Sequence, residues 1–437
     1  MGERIVIAGA GVAGLTLAER LLADPGRDAS VVVLEREDSP GGLGRTFEKD
    51  GFLFDIGPHR FHTSDPVVQA YLLEILGDSY ITMSRASSVY MWDRYRQWPL
   101  TLRGVLGLPL PMLWRSFLDL FRRRDQGPPA SFADHIRSRY GRNLYDCFFA
   151  GYTRKFTGFD AESLHVDWAA AGVNRAVIDK RVKADSLFAL LRGILLPRQV
   201  STSFYYPSEG GIQTFSDLLV ERIERSGGHV RPGTPATGIR ESGNRVTGVM
   251  LNTGEILDAD RVYWSAPVTV LRPDSGLSFM NTVVFNVALS HPRDNRYQWC
   301  YFGQDDLVFS RLTVPRNFRG DMVPPDCDSI TAEVTCGPDH PGWEDPASLT
   351  GRVIDDLEKV RAIDPSDVIF VDYRRIRESY PLYGLDYRER LDALRLPENL
   401  HLLGRCGSYW YNNMDHSIAQ ALAMASGKTV DREFWNG

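Results

Sequence analysis

Residues 4–14 read R-I-V-I-A-G-A-G-V-A-G, an apolar run that breaks into Gly9, Gly11 and Gly14. The β-branched run suits a buried strand, and glycines at this spacing let the chain turn tightly and bring bare backbone close to a phosphate before a helix begins. The stretch after Gly14, L-T-L-A-E-R-L-L-A, reads as that helix. A second β-branched strand, S-V-V-V-L, ends in Glu35, 26 residues after Gly9, where a carboxylate can accept hydrogen bonds from ribose hydroxyls. This β-α-β pattern predicts a Rossmann-type dinucleotide-binding unit.

Further along, Arg36 follows the acidic residue, and S-P-G-G-L-G-R-T at 39–46 supplies Gly41, Gly42 and Arg45. A second set of small residues with an arginine for phosphate approach points to FAD. Residues 51–64, G-F-L-F-D-I-G-P-H-R-F-H-T-S, set Gly57, Pro58, His59 and His62 on a loop after a short strand, where an imidazole can line an isoalloxazine ring. No cysteine or further histidine stands at ligand spacing from that pair, so no metal site is expected. Near the other end, residues 404–416 read G-R-C-G-S-Y-W-Y-N-N-M-D-H and run into the apolar Ile418, Ala419, Ala421 and Leu422. A helix N-terminus crowded with polar side chains favours an anion or a polarised carbonyl above it.

The composition bounds the rest. A chain of 437 residues with 43% hydrophobic and 24% charged content suits a globular protein of two or three domains, and a net charge of −6 argues against a nucleic-acid binder. Five cysteines without CxxC spacing and a chain that opens directly on a strand lead to an expectation of cytoplasmic residence. The apolar region 101–121 is interrupted by Arg103, Arg115 and Asp119, so no transmembrane segment is expected. Residues 100–200 show helical periodicity, whereas 271–394 are rich in short strands and turns. The expected fold is therefore α/β: a discontinuous FAD-binding domain from 1–82, 205–270 and 395–437, an inserted helical domain at 100–200, and a mostly antiparallel sheet domain for substrate from 83–99 and 271–394.

Three tracts carry a family resemblance: G-P-H-R-F-H-T at 57–63, L-Y-D-C-F-F-A-G-Y-T-R-K at 144–155, and the C-terminal G-R-C-G-S-Y-W-Y-N-N-M-D-H-S-I-A-Q-A-L. In this order they resemble UDP-galactopyranose mutase and its relatives, within the FAD superfamily of amine and protoporphyrinogen oxidases. The resemblance implies reduced FAD, with flavin N5 attacking the anomeric carbon of a nucleoside-diphosphate sugar during pyranose/furanose interconversion or a related rearrangement. It also implies an external reductant, either NAD(P)H or a reductase, and it allows an oligomer.

The same resemblance makes Arg311 and Tyr411 phosphate-binding residues, retains Tyr152, and assigns a second arginine to Arg175, with Arg181 or Arg192 as substitutes. Arg405, Asn413, Met414, Asp415 and Ser417 match the segment around the flavin, His59 the histidine beside it, and the backbone of Val230 the neighbour of adenine. Departures accompany the matches. Phe156 and Thr157 stand where the family has a tryptophan, Ile212 and Gln213 where it has a tyrosine, and S-I-T-A-E-V at 329–334 lacks another tyrosine, with Tyr205 or Tyr206 available nearby. Because missing polar partners change discrimination strongly, the alternative is an FAD oxidase or dehydrogenase acting on an amine, a sugar or a ring intermediate.

Overall fold

The strand expected from the opening residues spans Glu3–Ala8, and its alternating side chains serve two cores. Ile5 and Ile7 face one hydrophobic cluster and Val6 and Ala8 the other, as the two-residue period of a strand requires. Both faces are covered, which is why the run carries no polar residue between Ile5 and Ala8. The computed structural model describes residues 2–98, 107, 109–119, 129–169, 203–337 and 339–428.

Five parallel strands form the first sheet, in the order Leu400–Leu402, Arg261–Trp264, Glu3–Ala8, Ala29–Leu34, His229–Arg231. Neighbours in this sheet come from opposite ends of the chain, so the dinucleotide-binding unit is discontinuous. Helix Val12–Leu22 buries nine of its eleven residues between the sheet and the helices Gln213–Arg225 and Met414–Ala425. A three-stranded antiparallel meander, Ala236–Ser242, Arg245–Leu251 and Ile256–Asp258, covers the opposite face.

The second sheet has seven strands, in the order Val368–Pro381, Phe279–Leu289, Asp328–Cys336, Arg311–Thr313, Trp299–Phe302, Ser87–Met91, Arg94–Trp98. It is antiparallel except where Trp299–Phe302 runs parallel to Ser87–Met91. Helix Thr350–Lys359 packs Val353 and Leu357 against one face, so the central strand Asp328–Cys336 is buried along its whole length. In register, Tyr301 lies opposite Arg311, and Arg311 opposite Glu333. Directly opposed residues share a face, so these three side chains form one row across the sheet.

Within the middle region the longer described helices are Leu110–Asp119, Phe132–Tyr140 and Ala150–Thr157. Phe132–Tyr140 begins with a capping box: Ser131 Oγ accepts from Asp134 N at 3.1 Å while Asp134 accepts from the Ser131 backbone. Arg175, Arg181 and Arg192 lie outside the described residues. Among the described residues, no helix is long and apolar enough to cross a membrane.

Candidate active site

Gly9 takes φ +102°, and a Cβ on Gly14 would stand 2.1 Å from the Gly9 carbonyl oxygen, so strand and helix approach more closely than any side chain permits. The loop at Gly41 joins this turn by a parallel bridge to Gly11, with Gly41 N donating to Ala10 O at 2.8 Å. Both Glu35 carboxylate oxygens accept backbone N–H groups, one from Ala10 at 2.9 Å and one from Glu37 at 3.0 Å. Burial raises its pKa, and these two backbone donors act the other way. The fixed carboxylate retains lone pairs toward the cleft.

That cleft spans about 1220 Å³, counting the part open to solvent, and is lined by Gly9, Gly11, Glu35, Arg36, Gly41, Gly42, Arg45, His59, Arg405, Asn413, Met414 and Ser417, among others. Arg45 Nε donates to Gly42 O at 2.9 Å, and Arg36 bridges Glu37 at 3.1 Å and Glu378 at 3.2 Å across the rim. Helices Val12–Leu22 and Met414–Ala425 both point their N-termini into the cleft, and neither has a side-chain cap. A glycine cradle, an acidic residue at the end of the second strand and two uncapped helix ends fit a dinucleotide with a polar ring.

Other expected cofactor residues stand elsewhere. Gly14 lies behind the turn, against Gly9. Val230 pairs with Val33 and packs on the helical core, while Pro235 and Ala236 line the cleft at that end. Asp415 lies 3.2 Å from the His416 ring, whose other face meets Trp410, and His62 packs edge-on to Phe204. Arg405 binds the fold itself: it donates to Asn412 O at 2.6 Å and to Ser379 O at 3.1 Å, stapling the C-terminal turn to the long edge strand.

His59 is half-buried, its shielded Nδ1 has no partner among the described residues, and desolvation, then Arg405, Arg311 and Arg60, push its pKa down to about 3. The ring is therefore neutral. Beyond it, Arg311 meets Glu333 through two parallel bonds of 2.6 and 2.5 Å, and its Nη2 reaches the Tyr380 hydroxyl at 3.2 Å. Burial alone would lower the Arg311 pKa, but Glu333 more than offsets it. Gly57, at φ +76°, sits on this pair, since a Cβ there would lie 2.9 Å from Glu333 Oε1. Its neighbour Pro58 uses its carbonyl to accept from Arg60 at 2.7 Å.

An aromatic wall adjoins the pair. Tyr411 packs on Tyr380 at 4.9 Å and on Trp168 at 5.6 Å, while Tyr152 stacks on Phe156 at 5.7 Å. Thus Arg311, Tyr152 and Tyr411 come together from a strand, a helix and the C-terminal turn. Trp168 brings an indole to the wall where Phe156 replaces the family's tryptophan, and Tyr380 adds a phenol that motif reading missed. Tyr205 and Tyr206 do not compensate: Tyr206 donates to buried Asp55 at 2.6 Å, and the Tyr205 hydroxyl accepts from Gln69. Glu333 was visible as the one acid in S-I-T-A-E-V, but its partner depends on strand register.

A Rossmann sheet with a glycine cradle, joined to a sheet that presents a half-buried arginine and phenols, defines a dinucleotide-binding flavoprotein with an aromatic wall beside the Arg311–Glu333 pair. The chain belongs to the flavin containing amine oxidoreductase family, whose model matches residues 12–423, and its cofactor is FAD. The superfamily expected from the three motifs therefore holds.

Among solved structures, reduced UDP-galactopyranose mutase superposes with a TM-score of 0.83 at 21% identity, covering 98% of this chain and 93% of that one. A putative protoporphyrinogen oxidase from Exiguobacterium sp. 255-15 gives 0.75 at 19% identity, covering 98% of each. Among curated sequences, the zeta-carotene-forming phytoene desaturase of Myxococcus xanthus is 26% identical over 287 residues, 61% of this chain and 53% of that protein. The chain spans about half the length of the curated relatives it matches. At these identities the structural likeness is one of fold.

Proposed function

We propose that the protein is a mutase-like flavoenzyme acting on a nucleoside-diphosphate sugar bound between the cofactor cleft and the Arg311–Tyr411 wall. The observation that carries this reading is the gathering of one half-buried guanidinium and the phenols of Tyr152, Tyr380 and Tyr411 beside a neutral histidine. Phenols and guanidinium forks bind phosphate oxygens at fixed geometry and need no deprotonation to do so.

Bound FAD supplies a ring that is nucleophilic when reduced and accepts hydride when oxidised. Helix Met414–Ala425 points its positive end into the cleft, where it would favour negative charge on a bound flavin. Neutral His59 lines the cleft and would meet a bound ring without adding charge, and the packed rings of Phe156 and Trp168 would keep water from the wall. Arg311 fixes the row of donors through Glu333.

A second reading, an FAD oxidoreductase, is favoured by one observation: Glu333 already neutralises Arg311, which reduces the field available to a diphosphate. The phytoene desaturase relative points the same way. Anaerobic photoreduced enzyme should isomerise a nucleotide sugar without stoichiometric oxygen consumption, and Tyr411→Phe and the pair Arg311→Gln/Glu333→Gln should each raise KM. Flavin bleaching on substrate addition with recovery of colour in air, and no isomerised product, would establish the oxidoreductase instead.

A further inference from the structure

Arg60, the residue between His59 and Phe61 in the G-P-H-R-F-H loop, turns away from the cofactor cleft that His59 lines. Its guanidinium lies over the Trp299 ring at 4.3 Å and the Phe204 ring at 5.0 Å. Nη1 donates to Pro58 O at 2.7 Å, whereas the buried Nε has no partner. Among the described residues Arg60 forms no ion pair. Arg85, fixed through Nε to Ser87 Oγ at 2.7 Å, brings a second guanidinium to within 5.4 Å of the same indole.

The position of Trp299 matters. It precedes Tyr301 by two residues on one strand, so both side chains stand on one face, and Tyr301 is opposite Arg311. Arg60 and Arg85 therefore sit one step along the strand from the Arg311 row, over the same face of the sheet. Arg311 is neutralised by Glu333, but among the described residues Arg60 meets two aromatic rings and one carbonyl and no carboxylate within ion-pair distance. A cation–π contact offsets only part of the cost of withdrawing an unpaired guanidinium from water. Burial, and behind it Arg85 and Arg311, push the Arg60 pKa down to about 10, with Tyr301 and Asp415 acting in the opposite direction. The group stays cationic at neutral pH, which leaves room in its surroundings for an anionic partner.

We propose that Arg60, seated on Trp299 beside Arg85, is an anion-binding residue of the substrate pocket that takes a phosphate or carboxylate group which Arg311 does not hold. This rests on the reading that the pocket accepts an anionic substrate. The anion is either part of the diphosphate or a second acidic substituent on the substrate.

The test titrates FAD-loaded enzyme with inorganic pyrophosphate and, separately, with glucuronate, following flavin fluorescence and melting temperature. Wild type should bind at least one probe, and Arg60→Gln should weaken that binding about tenfold or more, as loss of a charge-assisted bond requires. Preference for pyrophosphate identifies the diphosphate as the source, and preference for glucuronate a separate carboxylate. Should Arg60→Gln purify without FAD, Arg60→Lys and Arg85→Gln carry the test, with weakening of about threefold or more expected from lost fork geometry or lost field. Binding of both probes unchanged in these variants, or binding of neither probe by wild type, would overturn the proposal. If the pair Arg311→Gln/Glu333→Gln loses binding while Arg60→Gln keeps it, the proposed function stands and this inference falls. The converse result supports Arg60 and counts against a diphosphate at Arg311.

Discussion

Two residues set the limits of the site. At Gly14 a methyl group would meet the Gly9 carbonyl at 2.1 Å, so Gly14→Ala must push helix Val12–Leu22 off the first strand. Overpacking of this kind costs about 1–3 kcal/mol. The variant should purify with less FAD, measured by the ratio of flavin to protein absorbance, and an unchanged ratio with an unchanged melting temperature would refute the tight approach. At Arg311 the result depends on what is left behind. Arg311→Gln strands the buried Glu333 carboxylate, a loss of about 3–5 kcal/mol. Adding Glu333→Gln should restore at least half of it in urea unfolding, because no uncompensated charge then remains.

At the scale of elements, Asp55 holds three of them together. Its carboxylate accepts from Thr46 Oγ1 at 2.7 Å within the hairpin, Tyr206 OH at 2.6 Å on strand Ser203–Pro207, and Ile212 N at 3.1 Å just before helix Gln213–Arg225. Burial raises its pKa from 3.8 to about 6, against the pull of those donors. An acid with a raised folded pKa contributes stability that is full below pH 3.8 and lost as pH rises through 6. His59, lowered from 6.5 to about 3, does the reverse: its contribution is full above 6.5 and lost as pH falls toward 3. Between about pH 4 and 6 the two slopes oppose. Asp55→Asn should therefore steepen the acid-side loss by up to about 1.4 kcal/mol per pH unit in urea unfolding, and an unchanged profile would mean an ordinary aspartate.

For the whole molecule, the cofactor is the element that joins what the chain separates. The cleft is walled by the glycine turn, the G-P-H loop, the edge strand around Arg375–Glu378 and the C-terminal helix. Binding to the folded state alone stabilises by about 4 kcal/mol at a thousandfold excess over Kd. Removal of FAD should lower the melting temperature by several degrees and expose the C-terminal turn to protease, with re-addition restoring both. Equal melting of apo and holo protein would show that the cleft walls are held without the ring.

The sequence by itself determined the Rossmann unit, the FAD cofactor and the identity of the turn residues, because these depend on local rules: glycine's freedom at Gly9, the two-residue period of a strand, and an acid at a fixed distance along the chain. Motifs also placed Arg311, Tyr152 and Tyr411 on three separate tracts. Only the tertiary structure decided that Arg311 arrives already paired, that Trp168 and Tyr380 complete its wall, and that Tyr206 is spent on Asp55. These outcomes follow from strand register and from packing between residues distant along the chain, 69 positions for Arg311 and Tyr380 and 151 for Tyr206 and Asp55, which no local pattern encodes. The charge at Arg60 was legible as a letter in G-P-H-R-F-H, but its lack of an acidic partner became visible only when the Trp299 strand closed over it.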